Sequence, residues 1–200
     1  MVYAALGDST AVGVGADHGG YVDRVFERLG REHDGARLLN VAVSGATTAD
    51  VLRDQVDRVR EAHPTLVTLG VGANDVTRGT TPEAFARDFE ALLGALEDEV
   101  EGPIVVTNVP DLSLAPAVTG VPRQALRARV EAENELIREI ASRHGVRVVD
   151  VFSSSRDELA QRPTTLFAAD GYHPSDAGYA LWAEAMWPTV KDALDPHEAP

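Results

Sequence analysis

A chain of 200 residues with 44% hydrophobic content reads as one domain, 1–200, with a substantial core, and the lack of any 18-residue apolar run excludes a membrane-spanning helix. Its 32 acidic against 18 basic residues give a formal charge of -14, which repels nucleic acid and anionic membrane surfaces and favours solubility. Zero cysteines exclude a thiol nucleophile, a disulfide framework and a cysteine zinc site.

In chain order, Val2 to Leu6 predicts a first strand that ends in Gly7-Asp8-Ser9. No basic n-region or h-region precedes it, so the expectation is a cytoplasmic protein, although a mature form with its leader removed would read the same. Arg37 to Val43 predicts a second strand, followed by Ser44-Gly45-Ala46-Thr47-Thr48. Thr65 to Val71 predicts a third, followed by Gly72-Ala73-Asn74-Asp75. Asp75 is expected to hold its loop by side-chain to backbone bonds. Thr81-Pro82-Glu83 is a helix start, with a capping hydroxyl and proline at the first helical position. Phe85, Phe89, Leu92 and Leu96 then form a helical stripe, and Leu126, Val130, Ile137 and Ile140 form another. Ile104 to Val109 and Arg147 to Val151 are the fourth and fifth strands. Asp170-Gly171-Tyr172-His173-Pro174 stands just before the last helical segment.

The five strand candidates are short, aliphatic and without clean alternation, as strands covered on both faces should be. Alternation with helices implies an α/β fold, a three-layer α/β/α domain around a five-stranded parallel sheet. Ligands of such sheets bind beyond the carboxyl ends of the strands. Ser9, Gly45, Asn74 and the pair Asp170 and His173 all follow strands, so they converge on one edge.

A serine hydroxyl needs a base within hydrogen-bond reach to attack an acyl carbon. His173 supplies an imidazole, a group whose ordinary pKa of about 6.5 suits proton exchange near neutrality. Asp170, three residues earlier, is placed to accept from the other ring nitrogen. Ser9, Gly45, Asn74 and His173 are the four letters of the SGNH hydrolases, also called the GDSL family, which this chain resembles from its first strand to its last helix. The resemblance implies the flavodoxin-like strand order 2-1-3-4-5. It implies Ser9, Asp170 and His173 as the catalytic residues. It also implies an oxyanion hole made of the Ser9 amide, the Gly45 amide and the Asn74 side chain. The family's leucine after the serine is Thr10 here, at a position that lines the site, so the departure bears on substrate fit.

Other enzyme classes lose on particular residues. The G-x-S-x-G elbow of α/β-hydrolases would need glycine where Ala11 stands. Gly13 and Gly15 begin a dinucleotide fingerprint, but His18 occupies the third glycine's place. Asp170 and His173 are a single pair, so neither metal nor other cofactor is expected. The expected function is hydrolysis of a small-molecule acyl ester or thioester through an acyl-enzyme, on short- to medium-chain acyl groups. The alternatives are a carbohydrate O-acetylesterase and a non-catalytic binding domain that keeps the fold. Thr10, Leu112, Leu114 and Val118 are the expected pocket residues, the last three from the apolar segment Asp111 to Val121. His18, His33, His63, His144 and His197 fall outside the motifs and are expected in solvent. No nucleic acid is expected as a partner, and the sequence leaves the oligomeric state open.

Overall fold

Aliphatic runs of three to six residues form the strands β1 (Val2–Gly7), β2 (Arg37–Asn40), β3 (Leu66–Gly70), β4 (Ile104–Thr107) and β5 (Arg147–Val149). This computed structural model describes residues 1–195, so His197 lies outside the described residues. All pairings are parallel, in the order 2-1-3-4-5. Among the described residues ten helices connect and cover the sheet: α1 (Ser9–Val12), α2 (Tyr21–Glu32), α3 (Thr48–Asp54), α4 (Val56–Arg60), α5 (Ala73–Arg78), α6 (Pro82–Glu99), α7 (Arg123–Arg143), α8 (Val151–Gln161), α9 (Pro163–Leu166) and α10 (Asp176–Leu194).

Alternate residues of β1 enter two separate cores. Ala4 and Leu6 pack with Phe85, Phe89 and Leu92 of α6 and with Val130 and Ile137 of α7. Tyr3 and Ala5 pack with Val22 and Leu29 of α2 and with Tyr179 and Met186 of α10. Both faces of the sheet are therefore buried, which is why the strands lack a polar alternation. Thr81 caps α6 by accepting from the Ala84 amide, and Pro82 sits at the first helical position.

The strands are shorter than the sequence suggests. Val41 and Val43 still donate to Ala5 and Gly7, but the chain there is already peeling away from the ladder. Val151 opens α8 rather than closing β5, because Asp150 accepts from the Ser153 amide and caps a helix. Among the described residues no helix is long and apolar enough to cross a membrane.

Candidate active site

The turn after β1 is built around a residue that must be glycine. Gly7 has φ +143, and a Cβ there would lie 2.1 Å from the Gly70 carbonyl oxygen. Gln55, only 1% exposed, bonds both backbone groups of Gly7. Its Nε2 donates to Gly7 O at 2.9 Å and its Oε1 accepts from Gly7 N at 2.8 Å. Asp8 then caps α1, with Oδ1 accepting from Thr10 N at 2.9 Å and from Thr10 Oγ1 at 2.8 Å. Ser9 takes the first helical position, where an amide has no intrahelical acceptor. Burial pushes the Asp8 carboxyl up to about 6, against the lowering effect of the Thr10 bonds.

The loop before α10 is pinned at its base. Phe167 and Pro174 form an antiparallel bridge, Ala168 N donates to His173 O at 2.8 Å, and Ser175 N donates to Leu166 O at 2.9 Å. At the tip, Asp170 Oδ1 accepts from the amides of Tyr172 and His173 at 2.8 and 3.0 Å. Asp170 Oδ2 lies 2.6 Å from His173 Nδ1, and His173 Nε2 lies 3.0 Å from Ser9 Oγ. With Nδ1–H donated to the carboxylate, Nε2 is left as the acceptor for the serine hydroxyl. Desolvation works to raise the Asp170 carboxyl, but the bonds from His173 and the two amides outweigh it and hold the group below its ordinary value.

Asn74 opens the first turn of α5, directly after Gly72 and Ala73. Its Nδ2 donates to Ala46 O at 3.0 Å and approaches Asp8 Oδ2 at 3.4 Å. Gly45, at φ +83, precedes Ala46 in the same turn. It faces a surface depression shared with Val43, Ser44 and Arg53 rather than the cavity beside Ser9. Asp75 reaches further than its own loop, accepting at Oδ2 from the amide and hydroxyl of Thr48 at 2.9 and 3.1 Å.

Beside Ser9 and His173 opens a cleft of about 770 Å³, counting its open mouth, with Leu112, Val151, Leu159, Phe167, Leu181 and Trp182 along its walls. Thr10 and Leu112 line it as expected. Leu114 does not, because the 3₁₀ turn Leu112–Leu114 sends it into a separate surface groove with Arg123 and Arg127. Val118 packs against the core instead. The walls contributed by α8, α10 and Phe167 have no counterpart in the sequence reading, and neither does Tyr172. The Tyr172 ring meets the His173 ring edge-on, with centroids 5.2 Å apart. Trp182 is fixed by stacking on Tyr21 at 5.2 Å.

His144 departs from the expectation of a solvated side chain. It is 15% exposed and bonds Glu97 at 2.7 Å and Glu90 at 2.9 Å, which raises its pKa, the Glu97 bond contributing most. Among the described residues no group of three or more histidine or carboxylate side chains is arranged to hold a metal ion.

The sequence matches the GDSL-like lipase/acylhydrolase family over residues 5–181. It is similar to Esterase TesA of Pseudomonas aeruginosa, 27% identical over 190 residues that span 94% of this chain and 87% of that protein. A GDSL-like esterase of Mycobacterium tuberculosis is 31% identical over 204 residues, spanning 94% of this chain and 61% of that protein. The crystal structure of TesA superposes with a TM-score of 0.79 at 23% identity, over 97% of this chain and 100% of that one, a likeness of fold.

Proposed function

Since the chain belongs to the GDSL-like lipase/acylhydrolase family, a family of ester-hydrolysing enzymes, we propose that it cleaves short- to medium-chain acyl esters or thioesters with Ser9 as nucleophile, His173 as general base and Asp170 as the group that orients the imidazole. The observation that carries this reading is the pair of contacts on one ring, 3.0 Å from Nε2 to Ser9 Oγ and 2.6 Å from Nδ1 to Asp170. Ser9 Oγ attacks the acyl carbon as its proton passes to His173 Nε2. The tetrahedral oxyanion is met by the Ser9 amide and by Asn74 Nδ2, and the Gly45 amide joins them on the family resemblance alone, since that glycine lines a neighbouring depression. His173 then protonates the leaving alcohol or thiol, and the acyl group stays on Ser9. Water enters, gives a proton to His173 and attacks the acyl carbon. Departure of the carboxylic acid returns the proton to Ser9.

The substrate class follows from the cleft. Its walls are aliphatic and aromatic, and they begin at the Ser9 hydroxyl, so they suit an acyl chain better than a sugar. Ser9→Ala should abolish covalent labelling by a fluorophosphonate and turnover of a chromogenic ester while the protein stays folded. A panel of acyl esters should show kcat/KM rising from acetyl toward medium chains. Labelling that survives Ser9→Ala would falsify the nucleophile assignment.

A further inference from the structure

The segment that follows the nucleophile turn has the glycine spacing of a failed dinucleotide fingerprint, and its contacts give those glycines another use. It starts on the nucleophile itself, since Ser9 O accepts from Gly13 N at 3.1 Å and from Val14 N at 3.0 Å. Tyr179 of α10 then donates its hydroxyl to Val14 O at 2.9 Å. Gly15 follows at φ +94, pressed against the histidine loop. A Cβ on Gly15 would lie 3.0 Å from His173 Cβ, 2.9 Å from Ala168 Cβ and 2.8 Å from Pro174 O. Ala16 packs on the core shared by α2 and α10. The segment ends on Asp176, three residues beyond His173. The Asp176 carboxylate accepts from Asp17 N at 3.3 Å, His18 N at 3.0 Å, His18 Nδ1 at 3.0 Å and Arg24 Nη2 at 3.0 Å.

We infer that Gly13 to His18 is a strap that sets His173 at bonding distance from Ser9, with Gly15 and Asp176 as its positioning residues; this rests on Ser9 and His173 being nucleophile and base. Asp170 cannot set that distance, because it shares a loop with His173 and moves with it. The strap can, because it is tied to the Ser9 carbonyl at one end and to the start of α10 at the other, with its middle in contact with His173. His18 thereby finds a role at the place where the fingerprint would want glycine. Its ring and amide both grip Asp176.

The test uses the full chain with Gly15→Ala and Asp176→Asn. A methyl at position 15 must displace His173 or the strap by several tenths of an ångström, and a misplacement of that order is expected to lower kcat 10- to 100-fold. KM should stay within about threefold, because the strap does not line the acyl cleft, and fluorophosphonate labelling should slow by the same factor as kcat. Asp176→Asn keeps the side-chain shape and weakens the clamp, so it should lower kcat by about 3- to 10-fold with KM unchanged. The ¹⁵N resonance of His173 Nε2, which reports the bond to Ser9, should shift in both variants. Folded Gly15→Ala with unaltered kcat and an unshifted resonance overturns the strap, as does a KM effect with kcat retained. If Gly15→Ala does not fold, Asp176→Asn decides on the same readouts. An enzyme inert to acyl esters whose His173 resonance still moves in Gly15→Ala sinks the proposed reaction but leaves the strap standing.

Discussion

Asn74 is aimed by its neighbours and only half committed to them. Its Nδ2 donates to Ala46 O at 3.0 Å and approaches Asp8 Oδ2 only at 3.4 Å, a contact long enough to yield to a stronger acceptor. A tetrahedral oxyanion is such an acceptor, because its charge appears only as the transition state is approached. Asn74→Ala should therefore lower kcat about 100- to 1000-fold with little change in KM. Labelling of Ser9 by a fluorophosphonate should slow but persist, since the proposed nucleophile and base remain. A strong rise in KM at constant kcat would make Asn74 a ground-state binding residue instead. Its place beside the cleft was legible because it stands in a short polar block at a strand end, and the same holds for Ser9, Asp170 and His173, whereas Gly45 lines a neighbouring depression. The groups that aim these residues were not legible. Nothing in a linear reading says that Ala46 O faces Asn74, or that Leu112 turns into the cleft while Leu114 turns out of it, because both depend on how separate elements meet.

At the scale of elements, the turn between β1 and α1 depends on α3 and α4 as much as on its own residues. Gln55 sits at the junction of those two helices and replaces solvent hydrogen bonds that the Gly7 N–H and carbonyl lose on burial. Gln55→Ala leaves the Gly7 N–H without this partner while the Gly7 carbonyl keeps its bond from Val43 N, at a cost of about 1–3 kcal/mol. Urea denaturation should register that loss, and kcat should fall with it because Ser9 is anchored two residues on. An unchanged midpoint would mean that the β1 ladder alone holds the turn. The stripes of α6 and α7 were readable from the sequence because each buries one continuous face against the sheet. The short helices α8 and α9 were not, since few of their side chains are buried and Val151 reads as a strand residue until Asp150 caps it. Much of the wall of the cleft beside Ser9 comes from that region and from α10, whereas Leu114 and Val118 lie outside it.

For the molecule as a whole, the charge of -14 and the buried acid Glu133 push stability in the same direction. Glu133 of α7 is 8% exposed, and its Oε1 has no hydrogen-bond partner among the described residues. It packs against the backbone at Gly72, where a Cβ would come within 2.6 Å of that oxygen. Burial, reinforced by the negative charge of Asp75, pushes its pKa from 4.5 up to about 9. A carboxyl raised in the folded state binds its proton more tightly there than in the unfolded chain. Its contribution is fully present below pH 4.5 and is lost as pH rises through 9. Asp8, raised from 3.8 to about 6, acts with the same sign over a lower window. Asp50 works the other way, because bonds from the amide and hydroxyl of Thr47 hold it near 2 and its contribution is lost only as pH falls toward that value. Stability should accordingly peak on the acid side of neutrality and decline through pH 8, where growing self-repulsion adds to the loss. Glu133→Gln keeps the shape of the protonated side chain without its proton equilibrium. In urea denaturation it should stabilise the fold on the order of 2–4 kcal/mol at pH 8 and change it little at pH 5. Equal destabilisation at both pH values would show that Glu133 is ionised in the fold and held by Arg129, the cation whose charge acts on it.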